Sequence, residues 1–127
     1  MDKYVWYEEY PTTPPSFVLN GFIYALLGLY DVSQVSTGDY RKRASQLFEE
    51  GVSSLKALFP LFDIGSGSTY DLRHFTLKSV PNLARWDYHA THVTQLLVMN
   101  SIHPDPMFDS FAERWSDYMK GKRAEHN

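Results

Sequence analysis

The chain has 127 residues, of which 43% are hydrophobic and 16% aromatic, and a net charge of -3 at pH 7. This length and composition predict one globular domain with a substantial core, and they exclude a disordered tail. The acidic balance argues against nucleic acid as a partner, and the absence of cysteine excludes disulfides and cysteine-based zinc sites.

The N-terminal half predicts an extended segment followed by two helices. Residues 4–15 alternate aromatic and acidic positions before a proline-rich loop. Ser16 is a candidate N-cap for a first helix over Phe17 to Tyr30, whose residues are apolar on nearly every face, as in a helix buried on all sides. Asp39 is a candidate N-cap for a second, amphipathic helix that ends at Pro60.

The C-terminal half predicts a turn region and two more helices. Residues 61–72 place apolar flanks around Gly-Ser-Gly-Ser, which indicates a small hairpin or a long loop. Helical spacing runs from Trp86 to Met99, and a final helix begins at Pro106 after an Asp105 cap and ends at Gly121. The prediction is therefore four helices in two pairs, with functional groups on the loops at one end.

The first predicted helix bears on membrane insertion and on the extent of the chain. It is shorter than the ~18 apolar residues of a spanning helix, and Asn20 and two glycines interrupt it. We therefore predict no membrane segment here. Because the sequence opens directly on aromatic, structural residues, we expect it to be a fragment of a larger protein.

Two short motifs, YDLRHF at 70–75 and ARWDYH at 84–89, carry polar groups that are costly to bury. The candidate groups are Tyr70, Arg73, Arg85 and Tyr88. An arginine fork matches a carboxylate through two parallel hydrogen bonds. A tyrosine hydroxyl, with a pKa of about 10, is a donor whose pKa a neighbouring cation lowers. These groups suit an acidic sugar.

A structural interpretation of the same motifs stays open. In that interpretation the tyrosine rings pack in the fold, and the two arginines pair with Asp71 and Asp87 instead of a ligand. Spacing along the sequence does not decide between the two interpretations.

The YEEY motif at 7–10 supplies candidate acid/base groups. Burial beside aromatic rings can raise a carboxyl pKa into a useful range. In an extended segment Glu8 and Glu9 point to opposite faces, so at most one enters a given cleft. The alternative is a solvated pair of carboxylates.

His89 and His92 are spaced i, i+3 and can share a helix face. A metal site needs at least a third ligand, and the neighbouring sequence offers no obvious one. We therefore predict no metal site, and we expect His89 to form hydrogen bonds within the loop.

Three long segments resemble one protein family. These are WYEEYPTTPPSFVLNGFIYALLGLYD, SLKALFPLFDIGSGSTYDLRHF and PNLARWDYHATHVTQL. They are similar to the C-terminal domain of the D-glucuronyl C5-epimerases of heparan sulfate and heparin biosynthesis, and the similarity runs from Val5 to the end of the chain.

The resemblance implies a mainly α fold, in which residues 1–127 form the C-terminal part of an α/α barrel with four main helices and a small β-hairpin. The full-length family protein is a homodimeric type II Golgi membrane protein, so a lumenal location is implied. Its reaction converts D-glucuronate to L-iduronate in N-sulfated heparosan without a cofactor. The alternatives are a uronate polysaccharide lyase and a non-catalytic carbohydrate-binding domain.

The resemblance also implies site residues. The catalytic candidates are Tyr88, Glu9 and Tyr70. The substrate-binding candidates are Arg73, Arg85, Tyr10, His74 and Asn82. Because the family's cleft also draws on groups from an upstream β-rich domain and earlier barrel helices, we expect these 127 residues to hold only part of the site. We therefore expect the fragment alone to be inactive.

Overall fold

A computed structural model describes residues 4–8 and 12–122 of the chain. Within these residues the chain forms five helices: α1 (Leu19–Val35), α2 (Gly38–Leu58), α3 (Arg73–Thr76), α4 (Trp86–Ile102) and α5 (Pro106–Met119). A 3₁₀ turn, Phe59–Phe62, follows α2 directly. The mainly α fold and its four long helices are confirmed, and the single turn α3 was not predicted.

The long helices pack as the two predicted pairs, α1 on α2 and α4 on α5, and α1 also packs against α4. Connections at residues 36–37 and 103–105 are so short that the two helices of each pair run antiparallel. Phe22, Leu26, Leu55 and Leu96 are fully buried between them. The two pairs therefore share one apolar core.

A glycine in α2 sets how closely the first pair approaches. A Cβ added to Gly51 would overlap the buried side chain of Leu26 and lie 3.1 Å from the Tyr7 ring. Tyr7 also donates a hydrogen bond from its hydroxyl to the Leu47 carbonyl, at 2.6 Å. The described N-terminal residues thus lie across the α1–α2 pair.

The start of α1 differs from the prediction. Phe17 is 2% exposed and has φ 58°, in the left-handed region, so the helix cannot include it and begins at Leu19. The Ser16 hydroxyl does not cap α1, because it forms a 2.7 Å hydrogen bond with the Thr12 hydroxyl. The predicted N-cap at Ser16 is wrong.

The expectation that α1 is buried on all sides is also wrong for the described structure. Tyr24, inside the predicted stretch from Phe17 to Tyr30, is 57% exposed. Only the side that carries Leu19, Phe22 and Leu26 is buried. The apolar character of α1 therefore exceeds what this core uses.

The other helix ends follow local chemistry. Asp105 accepts a hydrogen bond from the Met107 amide at 2.8 Å, with Pro106 directly after it, so the predicted cap of α5 is confirmed. Gly121, at φ 82°, follows the end of α5. The predicted N-cap of α2 at Asp39 is wrong, because the helix begins at Gly38 and Thr37 takes the N-cap position. Asp39 lies in the first turn, where its charge complements the helix dipole.

The predicted β-hairpin is reduced to a tight turn. Asp63 pairs with Ser68 in an isolated antiparallel bridge, and the Ile64 amide donates to the Gly67 carbonyl at 3.1 Å. A second isolated bridge joins Thr69 to Leu83. Pairing in the described residues stops there, because the chain turns away into α3 instead of continuing as strands.

None of the helices within residues 4–8 and 12–122 has the length and apolarity needed to cross a bilayer.

Candidate functional site

The predicted site motifs lie in and beside one loop, residues 63–85, which joins the two helix pairs and is called the site loop here. Backbone hydrogen bonds fix it to the start of α1. The Leu19 amide donates to the Tyr70 carbonyl at 3.1 Å, and the Leu72 amide donates to the Ser16 carbonyl at 2.9 Å. The position of Tyr70 is therefore set by the fold and not by the loop alone.

The two arms of the site loop are joined to each other as well. The Tyr70 amide donates to the Asn82 carbonyl at 2.8 Å, and the Ala84 amide donates to the Ser68 carbonyl at 2.9 Å. These bonds hold the arm that carries Tyr70 against the arm that leads into α4. Backbone polar groups that would otherwise need water are satisfied within the loop.

One carboxylate fixes the first turn of the site loop to α5. Asp63 accepts a 2.8 Å hydrogen bond from the Tyr118 hydroxyl and lies 2.8 Å from the Arg114 Nε atom. Burial, reinforced by the hydrogen bond to Asp63, raises the pKa of Tyr118 to about 12. Tyr118 therefore stays protonated and acts as a donor that holds the loop.

Tyr70 of the site loop contacts Tyr88 in the first turn of α4. The rings of Tyr70 and Tyr88 lie 4.9 Å apart, edge to face at 72°. They line a cleft of about 180 Å³ together with Asn82, Leu83 and Arg85. The Arg85 guanidinium carbon lies 6.0 Å from the centre of the Tyr88 ring. Four predicted site residues, Tyr70, Tyr88, Asn82 and Arg85, are thus brought together.

A buried carboxylate organises the polar residues behind this cleft. Asp71 is 1% exposed. Its Oδ2 atom accepts from the Arg73 Nε atom at 2.6 Å and from the Asn82 side-chain amide at 3.3 Å, and its Oδ1 atom accepts from the Arg73 backbone amide at 3.2 Å. Asp71 is therefore the residue that connects Arg73 to the cleft-lining Asn82.

The structural interpretation of the two arginines is borne out in its contacts. Arg73 pairs with Asp71, while Arg85 lies 3.7 Å from Asp87 in an exposed pair. The Arg73 side chain is still 48% exposed and that of Arg85 is 78% exposed, so both retain surface for a ligand. The two interpretations of the motifs are therefore compatible.

The sequence motifs predict Asp71 only as a charge partner of an arginine, whereas the structure places it at the centre of a hydrogen-bond network. The sequence signal for it is the spacing to Arg73. An aspartate two residues ahead of a helix start often accepts a hydrogen bond from the backbone, and here that bond begins α3.

The remaining predicted residues lie elsewhere. His74 is half-buried in α3, with its ring 4.2 Å from that of Phe75, and it does not line the tyrosine cleft. Glu9 and Tyr10 lie outside the described residues. Their neighbour Glu8 accepts a hydrogen bond from the Phe17 amide at 2.9 Å, which supports the left-handed backbone there.

The two histidines of α4 share a hydrogen-bond partner instead of pointing to a ligand. The Ser68 hydroxyl lies 2.8 Å from the His89 Nδ1 atom and 2.9 Å from the His92 Nδ1 atom. Within residues 4–8 and 12–122, no three side chains of the metal-binding types come together. The expectation that His89 forms hydrogen bonds within the loop is confirmed.

Comparison with known proteins gives consistent matches over nearly the whole chain. The sequence profile of the D-glucuronyl C5-epimerase C-terminus matches residues 1–117. A D-glucuronyl C5-epimerase of Caenorhabditis elegans is 54% identical over 97% of this chain and 21% of its own length. An uncharacterized protein of Methanocaldococcus jannaschii is 30% identical over 91% of this chain and 34% of its own length. The chain thus spans about a fifth to a third of these relatives.

Proposed function

Because this chain belongs to the family of D-glucuronyl C5-epimerase C-terminal domains, we propose that its protein converts D-glucuronate to L-iduronate in N-sulfated heparosan, during heparan sulfate and heparin biosynthesis. The contact between Tyr70 and Tyr88 at one cleft carries the proposal. It places two phenol groups where a sugar ring from a polysaccharide can enter.

Inversion at C5 needs two groups and no change of oxidation state. A base removes the C5 proton, and the electron pair of the C–H bond moves into the carboxylate to form an enediolate. An acid on the other face of the ring then returns a proton to C5. Because a proton is removed and a proton is returned, the reaction is redox neutral and balances without a co-reactant.

Tyr88 serves in this proposal as one of the two proton-transfer groups. Since the ring centres of Tyr70 and Tyr88 lie only 4.9 Å apart, a sugar ring does not fit between them, and in this proposal both act on the same face of the sugar. The group on the opposite face must therefore come from elsewhere, and in this proposal it is Glu9. Tyr70 assists transfer or orients the substrate beside Tyr88.

The enediolate carries added negative charge on its carboxylate, and fixed donors lower its energy as that charge develops. Arg85 and Asn82 line the cleft and are the nearest candidates for that contact. Arg73 is the further candidate, since Asp71 holds it close to Asn82. The buried Asp71 carboxylate fixes the Arg73 Nε atom, so the rest of its fork has a defined direction.

The whole protein is needed for this activity in the proposal. The chain forms the C-terminal part of an α/α barrel, and other parts of the protein complete a cleft long enough for a polymer. The polysaccharide is the substrate, and we place the protein as a homodimer on the lumenal side of the Golgi membrane.

The test is a C5 exchange assay with the full-length protein. N-sulfated heparosan is incubated in deuterated water, and deuterium at C5 and the iduronate fraction are measured by NMR. Tyr88→Phe removes only the hydroxyl, so turnover is expected to fall by about a hundredfold or more. Tyr40→Phe, at an 81% exposed tyrosine of α2, is the matched control and should leave turnover unchanged.

Three outcomes contradict the proposal. Normal exchange in Tyr88→Phe excludes Tyr88 as a proton carrier. An unsaturated uronate that absorbs in the ultraviolet, with shortened chains, identifies a lyase, because a lyase expels the 4-linked sugar after the same proton abstraction. Binding of the polysaccharide without exchange identifies a carbohydrate-binding domain.

A further inference from the structure

A buried polar cluster of Ser68, His89 and His92 adjoins the segments that carry the two cleft tyrosines, and it has no part in the chemistry proposed above. Ser68 is 1% exposed, His89 is 5% exposed and His92 is fully buried. The Ser68 hydroxyl contacts both rings at their Nδ1 atoms, and the His89 Nε2 atom lies 2.8 Å from the Trp115 carbonyl. Buried polar groups are costly unless they are paired, so these bonds have a directed structural role.

The proton positions in this cluster follow from what each atom can do. A carbonyl only accepts, so the His89 Nε2 atom carries a proton. In the neutral form of this ring the Nδ1 atom then presents a lone pair. Ser68 therefore donates to His89. Having used its one proton, the Ser68 hydroxyl accepts from the His92 Nδ1–H group. In their neutral forms the two rings therefore have opposite tautomers.

The cluster joins the two segments that carry the tyrosines. Ser68 lies two residues before Tyr70, and its carbonyl holds the Ala84 amide of the other arm. His89 directly follows Tyr88 in α4. The Ser68–His89 hydrogen bond is thus the side-chain link between the arm of the site loop that bears Tyr70 and the helical turn that bears Tyr88.

We propose that Ser68 and His89 are positioning residues, which hold Tyr70 and Tyr88 at their 4.9 Å contact and take no part in proton transfer. This inference rests on the proposed function. Ser68 is too deeply buried to touch a polysaccharide, so it acts only through the residues that it holds. Proton transfer depends steeply on distance, and a displacement of about 1 Å can cost a hundredfold in rate.

The test is Ser68→Ala in the full-length protein, which deletes the shared donor and acceptor and adds no bulk. We expect kcat to fall by about tenfold, with KM changed by less than about twofold, since every side chain that lines the cleft is still present. The pH profile of kcat should keep its shape, because the titrating groups of the reaction are unchanged. Ser66→Ala, at an exposed serine of the same turn, is the matched control and should alter neither constant.

A double-mutant cycle tests whether Ser68 affects kcat through Tyr70. If Ser68 acts by holding Tyr70 against Tyr88, its removal should cost less than about twofold in a Tyr70→Phe background. An equal cost in both backgrounds overturns the positioning role. So does an unchanged kcat in Ser68→Ala.

A measurement independent of turnover separates this inference from the proposed function. Imidazole ¹⁵N chemical shifts in the wild-type protein should show a protonated Nε2 atom in His89 and a protonated Nδ1 atom in His92. The same tautomer in both rings overturns the assignment. If the shifts agree while the protein lacks epimerase activity, the cluster stands and the proposed function fails.

Discussion

The four long helices, α1, α2, α4 and α5, form a frame that is stabilised by different interactions from those that stabilise the site loop. In the frame, apolar side chains such as Phe22, Leu55 and Leu96 are fully buried. In the site loop several apolar side chains point outward, with Phe75 48%, Leu77 56% and Val80 84% exposed. The buried groups of the loop include polar residues, namely Ser68, Thr69 and Asp71.

This difference shows how one small chain separates stability from geometry. Hydrophobic burial is non-directional and supplies most of the free energy of folding. Hydrogen bonds contribute less to that free energy but fix distances and angles. The frame therefore decides whether the protein folds, and the polar contacts of the loop decide where Tyr70 is held against Tyr88.

The largest expected loss of stability comes from a substitution in the frame. Phe22 is fully buried and stacks on Trp6 with ring centres 3.9 Å apart. Phe22→Ala should lower the free energy of unfolding by about 3–5 kcal/mol in urea titrations, through lost burial and the cavity left behind. Leu97→Ala, at a 55% exposed position of α4, is the control and should change it by less than ~0.5 kcal/mol.

The turnover of Phe22→Ala also tests whether the frame and the site loop have separate roles. The folded fraction of Phe22→Ala should keep its turnover per molecule, because the site loop does not depend on Phe22 for its hydrogen bonds. A loss of turnover larger than the unfolded fraction would mean that the frame also fixes the geometry of the cleft.

The next largest change in stability is expected at His92, where α4 meets the site loop through Ser68. Burial, with a smaller contribution from neighbouring His89, lowers the pKa of His92 from 6.5 to about 3. Between these values the unfolded chain binds a proton that the folded chain does not, so stability falls as the pH is lowered. The loss approaches about 1.4 kcal/mol per pH unit once the pH is well below 6.5, and it amounts to about 1.6 kcal/mol between pH 6.5 and pH 5.

The measurement is the difference in unfolding free energy between wild type and His92→Gln across that pH range. As the pH falls, the unfolding free energy of the wild type should decrease relative to that of His92→Gln, since only the wild type carries the buried imidazole. Parallel pH dependences in the two proteins would show that His92 is not kept neutral by the fold.

The smallest expected change in stability comes from within the site loop. Asp71→Asn keeps the shape but replaces one acceptor oxygen with an NH₂ group, so the bonds to Arg73 and Asn82 cannot all persist. The loss should be about 1.5 kcal/mol, with faster amide hydrogen exchange confined to residues 63–85. Turnover should fall by more than the decrease in the folded fraction that this loss of stability causes.

The matched control is Asp87→Asn, which removes a carboxylate from the exposed pair with Arg85. Its effect on stability should stay below ~0.5 kcal/mol. Equal effects of the two substitutions, or exchange that accelerates throughout the chain in Asp71→Asn, would contradict a distinct polar framework in the loop.

Sequence reasoning succeeded where the controlling interactions are local. The Asp105 cap, Pro106 and Gly121 act within a few residues, so the limits of α5 were readable from the sequence. Apolar periodicity likewise predicted the four long helices and their pairing. The two motifs also named three residues that the fold brings to one cleft, Tyr70, Arg85 and Tyr88, and the family resemblance added Asn82.

The start of α1 was missed because Phe17 is held in a left-handed conformation by contacts from a separate segment. The hairpin was overpredicted because the Gly-Ser turn makes its bonds to α4 and α5 instead of extending as strands. In both places tertiary contacts outweighed the local preference.

The sequence by itself determined the helices, their pairing and the family, because these depend on periodicity, capping and long motifs. Only the tertiary structure decided that Asp71 is buried, that Ser68 joins two histidines 21 and 24 residues away, and that Tyr70 meets Tyr88. The physical reason is the range of the interactions. A helix closes hydrogen bonds over four residues, whereas this site is assembled from groups that only the packing of the helix pairs brings together.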